Sequence, residues 1–248
     1  MMGVQNAAKR EKSPKAAAVG KKPLSKPVSV KKISPSAAKS AHKADRDQPY
    51  HHGDLHEALL KAAKRVAERE GINGLTLRAV AREAGVSHAA PSHHFGDVTG
   101  LLSELAAIGF KKFSEQLGAA TCSETAPEAV AARKASAYVA FARDNPCMFQ
   151  LMFRGERLDH ERPALREASE TAFHKLASIV AARRHEDVAP DHLTLGQAAD
   201  IARIWSMVHG FAMLYLDGRL SPIMEGLPPG TSVEALLAAM LMPDHRPT

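Results

Sequence analysis

Apolar residues recur at helical spacing through most of the chain beyond residue 50. Leu55, Ala58, Leu59, Ala62, Ala63, Val66 and Ala67 make one stripe with charges opposite. They predict a first helix that opens on an Asp54-x-x-Glu57 capping pattern and stops near Gly71. Thr76 is placed to cap a second helix, Leu77 to Ala84, with Leu77, Val80 and Ala81 inward. Gly85 makes a turn, Val86 plugs it, and Ser87 is expected to cap a third helix. Pro91 would then lie inward in that helix and forfeit about one hydrogen bond. Asp97 is positioned to cap a fourth helix, with Leu101, Leu102, Leu105, Ile108 and Phe113 along one side.

Downstream, Pro127 suits a first helical position, and that helix runs to about Asn145. A short apolar helix, Cys147 to Phe153, follows the Asn145-Pro146 break. Pro163 opens a helix ending near His185, Thr194 caps one reaching about Asp217, and Ser232 caps a last one ending near Met242-Pro243. Gly218 to Gly230 reads as a Gly/Pro-rich loop. The expected fold class is all-α, with about nine helices, no strand and no fixed-period repeat. An aromatic content of 5% and abundant alanine agree with it.

Charge divides the chain. Residues 1–47 are Lys, Ala, Pro and Ser of low complexity and hold twelve basic and three acidic residues, a net +9. That leaves −3 of the overall +6 for the remainder. Few large apolar groups offset ordering entropy in this tail, so disorder is expected there, and its charge suits an anionic polymer. Cys122 and Cys147 have no metal spacing, and no apolar run spans a membrane. No apolar stretch follows the charged N-terminus as a secretory signal requires, so a cytoplasmic protein is expected. His51, His52 and His56, and His88, His93 and His94, cluster without the carboxylates or thiols that complete a metal site. No catalytic motif is present, so neither enzyme activity nor a cofactor is expected.

Two short helices about the Ala84-Gly85-Val86 turn outline a helix-turn-helix, which lays its second helix in the DNA major groove. Such a helix needs short side chains near base edges and donors for phosphates. Ser87, His88, Ala89, Ala90, Ser92, His93 and His94 supply that mix. Thr76 and Arg78 stand at the start of the preceding helix, where free N–H groups meet a phosphate.

From Tyr50 to about Gly109 the chain resembles the TetR family of transcriptional regulators. The resemblance rests on Gly71-Ile72, Leu75-Thr76-Leu77, Ala81-x-x-Ala84-Gly85-Val86-Ser87, His93-His94-Phe95 and Leu101-Leu102. It implies an N-terminal helix-turn-helix domain, 48–97, and a helical effector-binding and dimerisation domain, 98–243. It also implies DNA contacts for Thr76, Arg78, Ser87, His88, Ala89, His93 and His94. Ser92 departs from the family's usual Tyr, and Val98 from its frequent Lys. Both changes remove groups that would meet DNA, and the basic tail could compensate for them.

Trp205-x-x-x-His209-Gly210, Tyr138-x-x-Phe141 and Asn145-Pro146 resemble one C-terminal subgroup of that family. Trp205 and His209 share a helical face, and Phe110, Phe113, Tyr138, Phe141, Met148, Met152 and Phe173 are the other candidate walls of an effector pocket. Helices 194–217 and 232–242 are the candidates for a homodimer interface. The expectation is a ligand-released repressor that binds a palindromic double-stranded operator as a homodimer, with an unidentified small-molecule effector and no membrane. The alternative is an architectural protein that binds DNA through its tail regardless of sequence.

Overall fold

The computed structural model describes residues 52–120 and 126–241, the side chains of residues 52 and 53 aside. The basic tail 1–47, Cys122 and the Met242-Pro243 end lie outside the described residues. Among those described, there are ten α-helices, one 3-10 turn and no strand. The helices are α1 (His52–Gly74), α2 (Leu77–Ala84), α3 (Ala90–Phe95), α4 (Val98–Ala119), α5 (Pro127–Asp144), α6 (Pro146–Met152), α7 (Pro163–Arg184), α8 (Leu195–Leu216), α9 (Ser221–Glu225) and α10 (Val233–Leu241).

Most boundaries sit on local chemistry. Gly71 has φ 73°, so regular helical geometry in α1 ends there. Thr76 Oγ1 accepts the Ala79 N–H at 3.1 Å, and Asp97 Oδ1 accepts that of Gly100 at 2.8 Å. Thr194 and Gln197 form a reciprocal capping box at the head of α8, and Ser232 Oγ accepts the Ala235 N–H. Pro127, Pro146 and Pro163 all stand in first turns, where the missing N–H has no helical partner to lose.

Two expectations are corrected. The stretch read as a loop between Gly218 and Gly230 contains α9, one short helix opened by Pro222. The third helix starts at Ala90 with Ala89 as its N-cap, and no side-chain cap bond is made there. Ser87 instead receives the Ala90 N–H on its backbone carbonyl at 3.1 Å, closing a tight turn before the helix. Pro91 therefore falls in the first turn of α3 and forfeits no hydrogen bond.

A continuous core runs from α1 through α4 to α10. Leu59, Val66, Val80, Phe95, Leu101, Leu105, Phe141, Phe149, Leu151, Leu165 and Leu237 are among its fully buried members. α7 packs along α4, and α8 along α5. A smaller cluster of Ala177, Val180 and Ile201 joins α7 to α8.

Candidate functional site

The head of the molecule is built by α1, α2 and α3. Gly85 adopts the left-handed conformation (φ 69°), and its N–H reaches back to the Ala81 and Arg82 carbonyls. A side chain there would be strained, which is why glycine makes this turn. On the inner side Val80, Ala81, Pro91 and Phe95 are buried, with Leu77 and Val86 packed against the core. On the outer side Thr76, Arg78, Ser87, His88, Ala89, Ser92 and His93 are exposed together. Ala90 and His94 are half-buried, and the His94 ring lies 5.7 Å from that of His56. The helix α3 thus has an anchored face and an open one.

A bridge beneath α3 was not legible in the sequence. Arg162, the N-cap of α7, donates from Nη2 to the Phe95 carbonyl at 2.8 Å and from Nη1 to Glu104 at 3.3 Å. Glu104 also meets His56 Nε2 at 2.7 Å, and the His56 ring packs on Phe95. Ser103 Oγ accepts the Asp159 N–H, fixing the loop that carries Arg162. The end of α3 is therefore tied to the start of α7. The partners stand 48 to 67 residues apart, beyond any local pattern.

The same α7 walls a cavity of about 310 Å³, bounded also by α4, α5, α6, α8 and α10. Such a volume is at the lower end for small-molecule sites. Six of the predicted wall residues line it: Phe110, Phe113, Tyr138, Met152, Phe173 and Trp205. Three do not. Phe141 is fully buried in the core, its ring 5.2 Å from Phe113. Met148 faces a separate cleft beside Cys147 and Lys64. His209 stands behind the wall, its Nδ1 2.9 Å from the Tyr138 hydroxyl and its ring 4.6 Å from Phe153. Burial pushes the His209 imidazole below its ordinary value and the Tyr138 phenol well above its own. Both groups therefore stay neutral at physiological pH, and His209 positions a wall residue.

Helical periodicity found six of the walls but missed others, among them Phe153, Leu176 and Ile204 and the charged Lys134 and Arg183. Lys134 interrupts the apolar face of α5, and that break in the stripe is the one available signal. Burial, and then the neighbouring Lys175 charge, push its ammonium below the ordinary lysine range.

Fold and site define an all-α protein with a helix-turn-helix head and a cavity-bearing helical body. Residues 59–105 match the family model of bacterial regulatory proteins of the tetR family, and residues 131–240 that of the tetracyclin repressor-like C-terminal domain. The chain is similar to a protein of unknown function from Rhodococcus sp. RHA1, at 34% identity and a TM-score of 0.63, covering 79% of this chain and 95% of that one. It shares the fold of the TetR family transcriptional regulator PfmR from Thermus thermophilus, at 19% identity and a TM-score of 0.52, over 74% and 94% of the two chains. The HTH-type transcriptional regulator YobS of Bacillus subtilis (strain 168) is 29% identical over 98 residues, a match that spans 40% of this chain and 51% of YobS. The chain belongs to the TetR family of DNA-binding helix-turn-helix transcriptional regulators. No helix among the described residues is long and apolar enough to cross a membrane.

Proposed function

We propose that the protein is a ligand-released repressor that binds a palindromic operator as a homodimer. The observation that carries this reading is that α7 both walls the cavity and, through Arg162, holds the end of α3. An occupant that displaces α7 acts on the angle of the recognition helix, and release follows if it binds better to the displaced state. The exposed set Ser87, His88, Ala89, Ser92 and His93, with Ala90 and His94 at its edge, is the surface we assign to base and phosphate contact. Thr76 and Arg78 at the head of α2 take a backbone phosphate; the Thr76 oxygen accepts the cap bond, and its O–H proton remains for that phosphate.

A dimer is supported by apolar side chains left open on the C-terminal helices. Leu195 is 88% exposed, Trp205 41% and Leu214 44% on α8, with Met240 at 45% on α10. A Cβ at Gly210 would meet nothing within 4 Å, so that point of α8 is open to a second helix. We place the Trp205-x-x-x-His209-Gly210 run in the C-terminal subgroup it resembles.

Selection of bound fragments from random DNA tests the function. The expected result is a two-fold consensus with half-site centres about 10 base pairs apart. Enrichment without a consensus would instead favour binding through the basic tail. A second expectation concerns residues 1–47: their removal should make the slope of log affinity against log salt shallower by about 0.9 for each phosphate that the tail neutralises. An unchanged slope would show that the tail does not reach DNA in the complex.

A further inference from the structure

The cavity lining carries Lys134 and Arg183 and no carboxylate. An adjoining cleft between the end of α4, α5 and α7 is lined by Lys134, Lys175, His174, Thr171 and Ser178, again without a carboxylate. This is the reverse of the chain's average beyond residue 47, where acids outnumber bases. Lys134 belongs to both spaces and is 7% exposed. Its Nζ donates to Ser178 Oγ at 3.3 Å, and no acid among the described residues neutralises it. A buried ammonium with a hydroxyl as its partner is an expensive arrangement, because one neutral hydrogen bond does not replace the water it has lost. Apart from His160 and Ser169 the remaining walls are mostly aromatic or aliphatic, with Phe110, Phe113, Phe173 and Trp205 prominent.

We propose that the cavity takes an apolar monocarboxylate, its body among the aromatic side chains of α4, α7 and α8 and its carboxylate on Lys134. This rests on the cavity being the effector site, and it names the chemical class of the effector. A cation is disfavoured because no wall residue can neutralise it. A neutral molecule fills the apolar volume but leaves the ammonium uncompensated. A carboxylate does both, and its charge opposes the burial and Lys175 effects that hold the Lys134 ammonium down.

The chain has one tryptophan, and Trp205 lines the cavity, so its fluorescence reports occupancy. Full-length protein is titrated with decanoate and 6-phenylhexanoate, with the matching alcohols, and with decylamine, all below micellar concentrations. Each acid is expected to bind about ten-fold or more tightly than its alcohol, the increment of one charge-assisted hydrogen bond. Decylamine should bind more weakly than decanol. Lys134→Met should erase the preference for acid while keeping the affinity for alcohol, which also reports that the variant's cavity is intact. Lys134→Arg should retain the preference. Equal affinities for acid and alcohol in the native protein, or an acid preference that survives in Lys134→Met, would overturn the carboxylate assignment and leave the effector cavity standing. No saturable response to any probe would remove both.

Discussion

Replacing Gly100 with alanine is expected to lower the melting temperature by about 4–8 °C. A methyl group at this position would overlap the Phe95 carbonyl and the Arg162 guanidinium. The first is backbone at the end of α3 and cannot rotate away. The second is held by that same carbonyl and by Glu104. Relief therefore requires α3 to lift from α4 or the Arg162 bridge to open. Overpacking of this kind costs about 2 kcal/mol, and each kcal/mol moves the midpoint of a chain this size by about 2–4 °C. Gly118→Ala, in the same helix, is the control, because the nearest atom to its added Cβ is Lys175 Nζ at 4.0 Å. It should leave stability unchanged or raise it by about 0.5–1 kcal/mol. Thermal unfolding followed by circular dichroism separates the two. Equal midpoints for Gly100→Ala and the native chain would mean that α3 and α4 do not approach as closely as the structure shows.

What could be read in advance was whatever a short stretch of chain decides by itself. Thr76, Gly85, Asp97 and Thr194 set helix ends through their own side chains or backbone conformation, and each stands where its local pattern put it. Ser87 failed because two acceptors in one residue compete, and its carbonyl took the N–H expected on its hydroxyl. α9 was hidden by Gly218 and Gly226 on either side and by Pro222 in its first turn, all residues that signal turns.

The cavity walls mark a different limit. Phe113 and Phe141 both lie on buried helical faces, and periodicity treats them alike. Whether the space opposite is filled by another side chain depends on helices far along the chain, so Phe113 became a wall and Phe141 core. Lys134 and Arg162 were missed for the same reason: what makes each important is a distant partner or a distant void. The local code therefore specified the exposed face of α3, while its connection to the cavity depends on the Arg162 bridge and the packing of α4 against α7.

Ala89→Glu is expected to weaken operator binding by about 10³-fold or more without loosening the fold. Ala89 is exposed and is the N-cap of α3, where no side chain closes the end of the helix. A carboxylate at that end favours the helix dipole, so stability should hold or rise slightly. Facing DNA, the same charge meets the phosphates of the groove walls, and juxtaposed like charges cost several kcal/mol. At about 2 kcal/mol per half-site, two copies in a dimer lose about 4 kcal/mol, or about three powers of ten in Kd. Folding and recognition are thus driven in opposite directions by one substitution, which general damage to the head cannot imitate. Ala89→Arg reverses the electrostatic sign and should shift the preferred bases, because guanidinium selects guanine edges. Fluorescence anisotropy at a fixed salt concentration reads both variants against the selected consensus. If neither affinity nor consensus moves in either variant, the surface that meets DNA is another face of the head.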